Sequence, residues 1–353
     1  MLLLYSAKKK GANATMKHTK FLAALLAATL LLLSLSGCAQ SDAPAAPTAQ
    51  PTVEPTMEPT MEPAAEPTAD ASVTVTDMTG REITLEAPAE RVVALTASDC
   101  EILYAIGAGE TLVGRGKYCD YPAEVMEVPA IESGANTNIE EVIALDPDVL
   151  LMSTMAQTEE QIAQLEAAGI KVVVSDADDI EGTYQTIALI GELMGKNAEA
   201  AAVVDGMKAV FADVTANALG DGTETVYFEV SPLEYGLWAA GANTFMDEIA
   251  AMLGLKNCFA DVDGWGQISQ EQVLERNPDY IVTVSMYFGE GPTPEEEILS
   301  RKGWENVTAV KNEAILNLQN NELARPAPRL ADGARMLFDF LAQCKADAGG
   351  KAA

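Results

Sequence analysis

One thirteen-residue pattern occurs twice in this chain. "IEEVIALDPDVLL" (139–151) and "QEQVLERNPDYIV" (270–282) lie 131 residues apart, and the shift places Glu140 on Glu271, Val142 on Val273, Pro147 on Pro278 and Asp148 on Asp279. Each copy reads as a short amphipathic helix, a Pro-Asp stop and an apolar strand. A helix-to-strand corner built twice demands two units of similar plan, and this constrains the fold more than any other feature.

The surrounding residues carry the same plan. "VTVTD" and "EITL" read as a hairpin around Met78-Thr79-Gly80. From Arg91, "RVVALT", "LVGRG", "DVLLMS" and "KVVVSD" are strands, and "SDCEILYAIG", "IEEVIAL" and "TEEQIAQLEAAG" are helices between them, the first capped by Ser98 or Asp99. Alternation of this kind predicts a parallel sheet covered by helices. No proline occurs between Glu181 and Leu219, and Asn197–Leu219 as one helix would run about 35 Å at ~1.5 Å per residue. Alternation then restarts with "ETVYFEVS", "NTFMDEIAAMLG", "QEQVLERN", "DYIVTVSM", "AILNLQ" and a last helix from Ala331 to about Ala346. The expectation is an α/β protein: two Rossmann-like lobes with parallel-type sheets, joined by one long rigid α-helix, with the groove between them as the ligand site. The expected divisions are a leader over 1–37, a tether over 38–72, an N-terminal lobe over 73–180, a helical bridge over 181–222, a C-terminal lobe over 223–348 and a tail over 349–353. The glycines of "GAGETLVG" close a helix and lead into a strand, the reverse of a dinucleotide fingerprint, so Gly107 reads as a helix C-terminus and NAD binding is set aside.

The amino terminus is of another kind. "MKHTKFLAALLAATLLLLSLSGC" has Lys17 and Lys20 before an apolar run of about 13 residues, short of the roughly 20 that span a membrane, and ends in small residues. It reads as a secretory signal with its start at Met1 or Met16, and Leu35-Ser36-Gly37-Cys38 resembles a lipobox, which would make Cys38 the lipidated first residue. "PTVEPTMEPTMEPAAEPT" follows, too proline-dense for helix or ladder, and reads as a stiff acidic tether. Five of the 22 basic residues and none of the 53 acidic ones precede Cys38, which leaves 17 against 53 and a net charge of −36. Such a surface repels nucleic acid and anionic lipid, so membrane contact is expected through the anchor alone.

The one histidine, His18, lies in the signal. Beyond it there is no Ser-His-Asp triad, no Cys-His pair and no histidine-ligated metal, so no catalytic residue, metal ligand or cofactor is assigned and an enzyme is not expected. Cys100, Cys119, Cys258 and Cys344 show no C-x-x-C spacing. Cys100 and Cys119 are either a disulfide or two buried thiols.

At the repeated corners Asn138 and Ser269 read as N-caps, with Glu141 and Gln272 completing capping boxes. That leaves Glu140 and Glu271 at equivalent second positions. They are either acidic residues favoured by the helix dipole or a matched pair of contacts for a two-fold partner.

"RVVALTASDCEILYAIGAGETLVG", "YCDYP", "NIEEVIALDPDVLL", "GWGQISQEQVLERNPDYIV" and "RPAPRL", in this order between Arg91 and Leu341, resemble the cobalamin and iron-siderophore substrate-binding proteins of ABC importers. The resemblance implies a helical-backbone binding protein that closes modestly on its ligand. It implies that Glu140 and Glu271 meet arginines of a permease dimer served by an ATPase. It places Tyr118 and Trp265 against the ligand and Arg325 near an anionic ligand group. Tyr235, Trp238 and Tyr287 are weaker cleft candidates, and Arg329 shares the Arg325 segment. Aromatic faces suit a flat chelate. Gly134-Ala135 stands where cobalamin binders carry an aromatic lid residue. A corrinoid ranks slightly ahead of a ferric siderophore, and haem is the other alternative. The expected protein is a monomeric, lipid-anchored receptor on the outer face of the cytoplasmic membrane; a ligand-sensing or adhesion lipoprotein is the alternative.

Overall fold

The computed structural model describes residues 72–134, 136–154 and 158–351; the signal, Cys38, nearly all of the tether and Ala135 lie outside the described residues. The chain opens with an antiparallel hairpin, β1 (Val73–Thr76) and β2 (Glu82–Leu85), as expected. Asp77 holds its turn, accepting from the backbone N–H groups of Thr79 and Arg81 at 3.0 and 2.9 Å and from the Arg81 guanidinium.

The N-terminal lobe is a five-stranded parallel sheet in the order β5-β4-β3-β6-β7, formed by β3 (Val92–Ala94), β4 (Leu112–Gly116), β5 (Ala130–Ile131), β6 (Val149–Met152) and β7 (Lys171–Val174). Its helices are α1 (Ala97–Ala105), α2 (Ile139–Ala144) and α3 (Glu159–Ala167). The helix α1 starts at Ala97, with Thr96 at the cap position, so Ser98 and Asp99 sit inside its first turn and neither is the cap. Gly107 does close it, with φ +72°.

Two helices make the crossover. The first, α4 (Ile180–Leu193), is capped by Asp179, and α5 (Asn197–Ala216) spans about 30 Å. The long helix ends at Ala216, three residues short of the expected Leu219; the chain turns at Gly195 (φ +64°) between the two helices, and α4 and α5 pack side by side. Gly191 allows the close approach, since a Cβ there would stand 2.4 Å from that of Ala200.

The C-terminal lobe has β8 (Thr225–Ser231), β9 (Trp238–Ala240), β10 (Lys256–Asn257), β11 (Trp265–Gln267), β12 (Tyr280–Thr283) and β13 (Ile315–Asn317). The main path is β11-β9-β8-β12-β13, with β10 also on β8. Here the parallel expectation is corrected in part. The pairs β8–β12, β12–β13 and β10–β8 are parallel, but β9 pairs antiparallel with both β8 and β11, because β8 turns back into β9 through one short turn with no crossover. The helices are α6 (Phe245–Met252), α7 (Gln270–Arg276), α8 (Pro294–Leu299), α9 (Thr308–Lys311) and α10 (Leu330–Lys351), the last running into the expected tail.

Alternation along the central strands sorts the core. Val92, Ala94, Val149, Leu151 and Val173 face one side of the first sheet; Val93, Leu150, Met152, Val172 and Val174 face the other. In the second sheet Val226, Phe228 and Val282 oppose Tyr227, Ala239 and Ile281. The first-named faces of both sheets belong to one continuous apolar cluster that runs through α4, α5 and α10, whereas the outer faces have separate clusters. The lobes thus share a core, which is what makes the bridge stiff.

Candidate functional site

The repeated corners coincide in detail. Pro147 and Pro278 are buried, and each is preceded by a residue in left-handed conformation, Asp146 and Asn277, both with φ 47°. Asx side chains tolerate that conformation, and it ends each helix where the proline requires. The following aspartate pins a neighbouring strand. One Asp148 carboxylate oxygen accepts from the N–H groups of Glu90 and Arg91, both at 2.9 Å, and one Asp279 oxygen accepts from the Thr225 N–H at 2.8 Å and its hydroxyl at 3.0 Å.

Both N-caps are where expected. Asn138 accepts from the Glu141 N–H at 3.3 Å, and Ser269 accepts from the Gln272 N–H at 3.3 Å. The Gln272 side chain returns the bond to Ser269 N–H at 2.8 Å. Glu141 closes no such box, because the Asn138 N–H is already given to the Glu132 carbonyl at 3.2 Å. Glu140 and Glu271 are both exposed at the second helical position, and neither takes part in an ion pair among the described residues. Hydrogen bonds from its own backbone N–H and from Ser269 hold the Glu271 carboxyl below the usual range, so it is an anion at neutral pH.

The cleft candidates lie mainly on loops or short strands that follow the main strands, where α/β sheets place ligands. Tyr118, two residues after β4, is 43% exposed, and Tyr235, in the turn after β8, is 54% exposed. Trp238 opens β9 and Trp265 opens β11; the two strands are paired, with Trp238 opposite Gln267. Trp265 is half-buried and packs on Phe245 with ring centroids 5.3 Å apart. The Tyr287 hydroxyl donates to the Gly291 carbonyl at 3.2 Å, and its neighbour Phe288 is 82% exposed. Grooves of about 260 and 470 Å³ lie beside β2 and β7 and between α4 and α5, and none of these residues lines either. No group of three potential metal-ligating side chains occurs among the described residues.

Arg325 joins the lobes. One of its amino groups donates to Glu101 at 2.9 Å and to Asp120 at 2.6 Å, and the other donates to the Tyr118 carbonyl at 3.3 Å. Arg329 grips the same Glu101 through Nε at 2.8 Å and Nη2 at 2.7 Å, and its guanidinium lies 3.8 Å from the centroid of the Tyr121 ring. Burial works against the Arg325 charge, but Asp120 and Glu101 outweigh it and keep the guanidinium protonated above its ordinary range. In this conformation Arg325 is engaged in ion pairs with Glu101 and Asp120. Glu101, only 3% exposed, was missed as a hub. Its signal was an acid set among the apolar residues of "CEILYAIG".

Residues 92–322 match the periplasmic binding protein family. The chain belongs to that family of solute-binding proteins. It is 33% identical over 275 residues to the Bacillus subtilis protein YvrC, named an uncharacterized ABC transporter substrate-binding lipoprotein, covering 76% of this chain and 85% of that one. It is 27% identical to a vitamin B12-binding protein of Salmonella choleraesuis, over 72% of this chain and 91% of that one. A crystal structure from Staphylococcus epidermidis, described as a "possible" iron-binding periplasmic solute-binding protein, superposes with a TM-score of 0.60 at 32% identity, covering 72% of this chain and 99% of that one.

Proposed function

We propose that this protein is the extracytoplasmic, lipid-anchored receptor of an ABC importer, which takes a metal chelate into the groove between its lobes and delivers it to a permease. The observation that carries the reading is the family match across both lobes, which contains both repeated corners with their unpaired, exposed Glu140 and Glu271. Tyr118, Tyr235, Trp238, Trp265 and Tyr287 supply aromatic faces for a large flat ligand. Arg325 is the contact for a ligand anion, in competition with Asp120: an anionic ligand must displace that carboxylate. The competition favours a chelate without net negative charge, which places a corrinoid ahead of an anionic ferric siderophore or haem.

All three tryptophans, Trp238, Trp265 and Trp304, lie in the C-terminal lobe, and two of them are cleft candidates. Titration of the mature chain with cyanocobalamin, a ferric siderophore and haem should quench their fluorescence saturably with the corrinoid first. Saturable binding of a ferric siderophore alone would keep the receptor role and change the ligand. No response to any of the three would remove the chelate reading.

A further inference from the structure

Cys100 and Cys119 come from different elements, the first turns of α1 and the loop after β4, yet both are buried and each thiol lies within the electrostatic reach of the other. Each Sγ also lies 3.9 Å from the same carbonyl oxygen, that of Ala94 at the end of β3. Two buried thiols that converge on one acceptor need little rearrangement to bond. Each thiol stands one residue before a carboxylate of the cluster that joins the lobes. Cys100 precedes Glu101, Cys119 precedes Asp120, and both carboxylates accept from the same Arg325 nitrogen.

We propose that in the exported protein Cys100 and Cys119 form a disulfide, which pins the loop bearing Tyr118 and Asp120 onto α1 and fixes the spacing of the two carboxylates that Arg325 spans. The oxidant is a disulfide, small or carried by an oxidoreductase. The thiolate of one cysteine attacks it, releasing one thiol and leaving a mixed disulfide. The second thiolate then displaces the other carrier thiol. Two protein thiols lose two electrons and two protons, and the carrier disulfide becomes two thiols. Within the folded lobe the neighbouring thiol and burial push the Cys100 thiol up, so it is a poor nucleophile there. The exchange therefore belongs to the chain as it emerges into an oxidising compartment, before the lobe closes.

The protein is to be recovered from the envelope of its own cells, denatured in the presence of an alkylating agent, and mapped by peptide mass with and without prior reduction. Cys258 and Cys344, on other elements, serve as internal controls. The expected result is that the controls are alkylated directly, while Cys100 and Cys119 are alkylated only after reduction and otherwise appear as one cross-linked peptide pair. Direct alkylation of both Cys100 and Cys119 would overturn the proposal. In a Cys100→Ser variant, Cys119 should become alkylatable without reduction; if it stays blocked, its partner is another thiol and the pairing is wrong. Reduction should also lower the thermal midpoint by on the order of 5 °C, since the link closes a loop of about 20 residues. An unchanged midpoint would remove the pinning role.

Discussion

Asp99 is fully buried in the first turn of α1, with the Ser175 hydroxyl donating to one carboxylate oxygen at 2.9 Å and no partner on the other. Burial raises its pKa from 3.8 to about 7, against the hydrogen bonds from Thr96 and Ser175, and the nearby Asp176 adds to the rise. A carboxyl whose folded pKa is raised contributes most below its unfolded pKa, and that contribution is lost as pH climbs through the folded value. Between pH 4 and pH 8 this one group should therefore cost the fold on the order of 4 kcal/mol. An Asp99→Asn variant carries no such charge. The gap between its melting temperature and that of the wild type should widen in its favour from pH 4 to pH 8, and a pH-independent gap would contradict the assignment. Asp279 illustrates the opposite use of a carboxylate, as acceptor for the first N–H of β8. Asp279→Ala should lower the unfolding free energy by about 2 kcal/mol in a denaturant titration, and Asp148→Ala should act in the same direction.

At the scale of elements, the clasp between Glu101 on α1 and the arginines before α10 decides how firmly the lobes are held. Glu101→Ala would leave Arg329 and most of Arg325 buried without their shared anion, at about 3 kcal/mol. Urea unfolding should show that loss, and a change within error of zero would mean the guanidiniums find other partners. The same clasp marks the limit of what the residues disclosed on their own. Long apolar strands such as "DVLLMS" and the capped corners were legible because their signals are local: period, cap and proline. The three-residue strands β9 and β11 carry no period and exist only because they pair with each other and with β8. Among the candidate cleft residues, Tyr118 and Trp265 stood out through the motifs around them. Glu101 and Asp120 did not, because their meaning depends on partners more than 200 residues away in sequence.

Across the whole molecule the shared core governs unfolding and, in the role proposed above, docking. Because α4, α5 and α10 bury one face of each sheet in a single cluster, the lobes should melt together. Tryptophan fluorescence, which sees only the C-terminal lobe, and far-ultraviolet circular dichroism, which sees both, should give coincident transitions. A lobe-by-lobe melt would separate them. Stiff lobes also hold whatever projects from them at a fixed spacing, and the docking role proposed for the twin glutamates requires that. A permease dimer offering two basic sockets recognises a rigid pair of carboxylates far better than either one, since the second contact forms at no further cost in orientation. Among the described residues neither Glu140 nor Glu271 is tied to a basic side chain, and neither closes a capping box, so both can be replaced with little disturbance to the lobes. Glu140→Ala with Glu271→Ala should therefore leave the melting temperature and ligand affinity unchanged while abolishing ligand-dependent stimulation of the transporter's ATPase in vesicles. Each single variant should retain part of it. Full stimulation by the double variant would mean that the duplicated corner serves the fold alone.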